Sequence, residues 1–114
     1  MTNATTTEMD QTTGLYDMTN LAKMKDLWTH APEAMKAFVA SDQAALAAGA
    51  IPVKYKELMA MAVAFTTQCP YCIELHTNKA REYGASDPEI AESVLVAAAL
   101  RAGGAITHGT HAMK

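Results

Sequence analysis

The segment from Pro52 to Gly84 leaves few local folds open to this chain, because a helical apolar stripe runs into a connection too short for anything but a tight reversal. Leu58, Met61, Ala62 and Phe65 fall at i, i+3, i+4 and i+7, the spacing that collects side chains on one buried helix face. Pro52 suits the first turn of that helix, which is predicted to end at Thr66 or Thr67. A second helix begins at Cys69-Pro70 and runs to Tyr83, where Gly84 supplies a left-handed cap. The Thr66-Thr67-Gln68 connection between them predicts an antiparallel helix hairpin.

The flanking sequence extends the same pattern. Leu21, Met24, Lys25 and Trp28 share a face on a helix predicted from Met18 to about His30. Pro32 opens another, with Met35, Phe38, Val39, Ala45 and Leu46 as its apolar face, a break near Ser41-Asp42 and a stop at Gly49. Ser86-Asp87-Pro88-Glu89 reads as a capping box with proline in the first turn, the clearest boundary in the chain. The helix it starts carries Ile90, Val94, Leu95 and Ala98, and Gly103-Gly104 predicts a stop or kink before a short last helix holding His108 and His111. Ala and eight Met outweigh strand-forming residues, so the fold class is all-α. A chain of 114 residues fits one domain. It is read as a loose Thr-rich tail over residues 1–14 and a helical domain over 15–114.

A net charge of −3, from nine basic and twelve acidic residues, supplies no Lys/Arg patch for a nucleic-acid backbone. No targeting segment stands at the start and no window has about 18 uninterrupted apolar residues, so the expected location is cytoplasmic, without a membrane partner. In a reducing compartment two cysteines are more often catalytic or metal-binding than structural.

Cys69 and Cys72 lie three apart at a predicted helix start, and Cys69, Cys72, Ile73 and His76 share one face over its first two turns. The unpaired backbone N–H groups and the dipole of a helix N-terminus favour a thiolate, the nucleophilic form of cysteine. His76 is placed to exchange a proton near neutral pH one turn after Cys72. Glu57 arrives from the preceding helix, at the edge of its buried stripe. Three other readings stand beside this one. The cysteines could be buried structural thiols; they could bind zinc with His76 or with His108 and His111; and Glu57 or His76 could be a solvated helix residue.

Glu57-Leu58, Cys69-Pro70-Tyr71-Cys72-Ile73-Glu74-Leu75-His76, Ala80, Gly84-Ala85, Glu89-Ile90 and Glu92 together resemble the core of the carboxymuconolactone decarboxylase superfamily over roughly residues 46 to 104. The E-x11-C-x2-C-x3-H pattern is similar to that of its alkylhydroperoxidase AhpD-like branch. The resemblance implies an all-helical fold assembled as homotrimers or homohexamers, and a thiol peroxidase or disulfide reductase activity in antioxidant defence. It implies Cys72 as the sulfur that attacks peroxide, Cys69 as the resolving sulfur, and Glu57 with His76 as the proton relay. The better-known alkylhydroperoxidase is expected to carry a histidine where this chain has Tyr71, which is retained as a possible auxiliary residue.

The partners implied are a hydroperoxide substrate and an external dithiol of lipoyl or thioredoxin type. No phosphate loop or dinucleotide fingerprint is present, so no cofactor is expected. The alternatives in function are a Cys/His metal-binding module and a decarboxylase or lactone-processing enzyme of the wider superfamily.

Overall fold

A computed structural model describes residues 17–114, and the expected N-terminal tail lies outside the described residues. The described chain divides into two compact units, one ending at Ala45 and the other beginning at Leu46. Among the described residues the secondary structure is entirely helical.

In the first unit the Asp17 side chain caps a 3-10 helix, Met18–Lys23, by accepting the Thr19 N–H at 2.8 Å. That bond holds the Asp17 carboxyl below its usual range. Helix α1, Met24–His30, follows directly, so the single helix expected from Met18 is a 3-10 segment joined to a short α-helix. Ala31 leaves the helical region before Pro32, whose ring crowds the residue preceding it. Helix α2, Pro32–Leu46, runs unbroken through Ser41-Asp42 and ends before the expected stop at Gly49. Serine and aspartate weaken a helix interior only mildly, and here the flanking alanines carry the helix through. No described residue of this unit is buried.

The second unit is built on three helices, α3 (Val53–Thr67), α4 (Pro70–Glu82) and α5 (Asp87–Gly109). Gln68 turns the chain between α3 and α4 with a φ of 58°, a left-handed conformation, and its N–H closes on the Ala64 carbonyl. The expected hairpin forms at this turn. Gly84 takes a φ of 93° after α4, and the Ala85 N–H reaches back to the Ala80 carbonyl at 2.9 Å, the expected left-handed ending.

Ser86 then caps α5. Its Oγ accepts the Glu89 N–H at 3.2 Å while Glu89 Oε1 accepts the Ser86 N–H at 2.9 Å. Glu89 also reaches Lys54 at 3.0 Å, and the Ser86 N–H and then Lys54 hold its carboxyl below the usual range. Lys54 pairs with Glu89 near the starts of α3 and α5, and Thr66 pairs with Arg101 further along, each pair 35 residues apart. The two helices therefore run parallel, with α4 antiparallel to α3.

Met61, Ala80 and Ala85 form the buried cluster, with Leu58, Phe65 and Ile90 packed against it. Met61 is its one large fully buried side chain, and the alanines around it let the helices approach closely. The Gly103-Gly104 pair does not stop α5, which continues to Gly109, and the expected last helix is a 3-10 turn, Thr110–Ala112. Two glycines cost about 2 kcal/mol relative to alanine, and the helix formers on either side keep the segment helical. By length and composition Asp87–Ala112 also contains an 18-residue window apolar enough to cross a bilayer, with a mean hydropathy of 1.4, a property its intermittent polar residues hid from a search for uninterrupted apolar runs.

Candidate redox site

The fold brings four of the residues singled out by spacing into two adjoining pairs. Cys69 stands at the N-cap of α4 with extended backbone, and Pro70 follows as the first helical residue, where a missing N–H costs nothing. From this position the Cys69 sulfur accepts the Cys72 N–H at 3.3 Å, as a serine or aspartate would at other helix starts. The two sulfurs are 2.7 Å apart and both cysteines are free thiols, each half-buried.

The Cys72 thiol, and after it the Cys72 N–H, hold the Cys69 thiol below its ordinary range; the Tyr71 N–H acts in the same direction. Burial opposes them, by more than the Tyr71 N–H contributes but by less than either Cys72 contact. Negative charge is thus favoured on the first sulfur of the pair.

The second pair is Glu57 and His76. Glu57 belongs to α3 and is 2% exposed, and its Oε1 lies 2.6 Å from His76 Nδ1 on α4. With Glu57 as a carboxylate, which accepts hydrogen bonds and cannot donate one, Nδ1 is the donor of this bond, and in the neutral imidazole Nε2 is then the acceptor. A buried carboxylate without such a partner is strongly destabilising, which gives the pair a structural role in the hairpin whatever else it does. His76 follows Cys72 by four residues, one helical turn and about 6 Å of rise. The hairpin therefore places an oriented imidazole one turn along α4 from a dithiol.

Other residues are placed differently. Tyr71 contributes its backbone N–H toward Cys69. His108 and His111 face one another edge-on at 5.8 Å near the end of α5. Among the described residues no three His, Cys, Asp or Glu side chains converge, so the ligand sets considered for zinc are not assembled within the chain.

Two residues at the turn between α3 and α4 escaped the sequence reading. Gln68 adopts a left-handed conformation that glutamine does not advertise. Arg101 donates to the Thr66 carbonyl at 3.4 Å. Its signal was available, because Arg101 is the one Asp, Glu, Lys or Arg between Glu92 and Lys114.

The sequence profile of the carboxymuconolactone decarboxylase family matches residues 32–114. The chain belongs to this family. A family member from Legionella pneumophila, solved as a crystal structure in its apo form, superposes with a TM-score of 0.66 at 34% identity, over 70% of this chain and 71% of that one. The all-α fold expected from the sequence is thus the fold of the family.

Among curated relatives, an uncharacterised protein of the cox locus of Paracoccus denitrificans is 46% identical over 77 residues, 68% of this chain and 69% of its own length. An uncharacterised protein of Cupriavidus necator is 35% identical over 65 residues, 57% of this chain and 58% of its own.

Proposed function

We propose that the chain is a thiol-dependent peroxidase or disulfide reductase of the alkylhydroperoxidase AhpD-like branch, in which Cys69 and Cys72 cycle between dithiol and disulfide. The observation that carries this reading is the juxtaposition of two free sulfurs 2.7 Å apart with a Glu57–His76 pair one turn along the same helix. A thiolate attacks a peroxide oxygen, the O–O bond breaks, and the sulfur becomes a sulfenic acid. The second thiol condenses with it, forming the S–S bond and releasing water, and an external dithiol of lipoyl or thioredoxin type restores the pair. In this reading Cys72 is the attacking sulfur and Cys69 the resolving one, and His76, oriented by Glu57 one turn from Cys72, takes the Cys72 proton as its thiolate forms and returns it to the hydroxide that leaves on condensation. Assembly as a homotrimer or homohexamer is part of the same proposal.

The test is thiol counting before and after one equivalent of hydroperoxide. The wild type is expected to lose both thiols to an internal disulfide, and Cys69→Ser or Cys72→Ser to lose this product. Two free thiols remaining in the wild type after peroxide would sink the reading.

A further inference from the structure

Beyond Arg101 the titratable side chains are His108, His111 and Lys114, set in a stretch of small and apolar residues and threonines. The two histidines have no part in the dithiol site, yet the end of α5 brings them together. The helix tightens there: Gly109 has φ −61° and ψ −22°, Thr110 has φ −63° and ψ −24°, and Thr110–Ala112 form a 3-10 turn. Residues three apart are offset by about 60° around an α-helix, whereas around a 3-10 helix they eclipse. The tighter turn therefore swings the His111 side chain into line with that of His108. The rings meet edge-on, with centroids 5.8 Å apart and planes at 60°.

The backbone beneath the pair is tied on both sides. Thr107 Oγ1 donates to the Gly103 carbonyl at 3.0 Å and Thr110 Oγ1 to the Thr107 carbonyl at 2.7 Å. The Met113 N–H reaches the Thr110 carbonyl at 3.0 Å. Both imidazoles are exposed, and among the described residues neither makes a hydrogen bond or ion pair. Each neutral ring thus keeps a free nitrogen lone pair, the donor that zinc, copper and nickel ions take from histidine.

The spacing suits one ion held by both rings. A zinc–nitrogen bond is about 2.05 Å and a ring nitrogen lies about 1.15 Å from its centroid, so two imidazoles on one tetrahedral ion have centroids about 5.2 Å apart. The separation in the protein is larger by only about 0.6 Å, which small rotations of two exposed side chains close. The negative end of the α5 dipole also favours a cation at this place.

We propose that His108 and His111 form a two-imidazole site for a divalent transition ion of the zinc class, with water at the remaining positions. Among the described residues no third His, Cys, Asp or Glu side chain converges on the pair, so the chain supplies two ligands of a tetrahedral four. The site is therefore open, unlike the closed four-ligand sites that zinc holds in a structural role.

The experiment titrates zinc chloride into the untagged full-length chain with its thiols removed as competing ligands. This is done by alkylation of the wild type and, separately, by Cys69→Ser with Cys72→Ser, where serine keeps a capping oxygen at the start of α4. The chain has four histidines, whose ring C–H signals are followed by proton NMR. In both preparations His108 and His111 should shift together and saturate at one ion per chain, while His30 and His76 stay in place. By calorimetry, His108→Ala and His111→Ala should each weaken zinc binding at least tenfold, because each turns a chelate into a single ligand. His30→Ala should stay within twofold. Both ligands are exposed, so neither substitution reaches the core.

His108 and His111 signals unmoved at about 1 mM zinc overturn the proposal, since such binding would be no tighter than about −4 kcal/mol. Signals of His30 or His76 that move with the pair overturn it as non-specific binding. A loss of less than tenfold in either alanine variant overturns it too, being the result for two independent surface histidines. The pair shares no residue with the dithiol, so none of these outcomes touches the peroxidase reading.

Discussion

Replacing His76 with alanine should expose how much the hairpin depends on its buried carboxylate. Glu57 is 2% exposed and has His76 Nδ1 at 2.6 Å. Removing the imidazole strands a charge that the protein has already desolvated, at a cost of about 3–5 kcal/mol for a fully buried pair. The His76 side chain is 24% exposed, so water can enter behind it, and the expected loss falls to about 2–3 kcal/mol. At about 4–8 °C per kcal/mol for a domain of this size, Tm should fall by roughly 10–20 °C.

Glu57→Gln keeps the shape and exchanges a charge-assisted hydrogen bond for a neutral one, for a loss of about 1 kcal/mol. Combining Glu57→Leu with His76→Ala removes both polar groups and should be less destabilising than His76→Ala alone. Urea unfolding at one fixed protein concentration, with the m-value monitored, measures the three variants and completes the cycle with Glu57→Leu. A His76→Ala loss below about 0.5 kcal/mol, or additive effects around the cycle, would refute the account of a coupled buried pair.

Three other outcomes are expected. Because the Cys72 thiol and N–H lower the Cys69 pKa, the rate of Cys69 alkylation should rise to its plateau at lower pH than for an ordinary thiol. Replacing the Cys72 side chain with alanine should move that midpoint up, and stopped-flow labelling between pH 5 and 10, a range that brackets a thiol's ordinary pKa of about 8.5, reads the difference. Ser86→Ala removes the oxygen that accepts the Glu89 N–H and should cost about 1 kcal/mol in urea unfolding. Gly84→Ala places a Cβ on a φ of 93° where no neighbouring atom crowds it, so backbone strain alone should lower stability, by about 1 kcal/mol.

Much of the site was legible in the sequence because its geometry is mostly local. Cys69, Cys72 and His76 share a face of one helix, and helical periodicity alone puts them together. The capping box at Ser86 and the glycine turn at Gly84 were legible for the same reason, since each is decided by the backbone of a few consecutive residues. The expected break at Ser41-Asp42 and stop at Gly103-Gly104 did not materialise, because local propensities of about 1 kcal/mol yield to a run of good helix formers on both sides.

What the sequence determined by itself was therefore an all-α chain with a helix hairpin and a dithiol at its turn, all set by spacing and caps. Only the tertiary structure decided that Glu57 reaches His76, because that contact depends on how α3 and α4 cross, which no single-helix period contains. It also decided that Arg101 reaches the Thr66 carbonyl near the end of α3, because α5 runs parallel to α3 in a register set at one end by Lys54 and Glu89 and at the other by Thr66 and Arg101. The cysteine pair was written in the sequence. The carboxylate that orients His76 comes from how the helices pack.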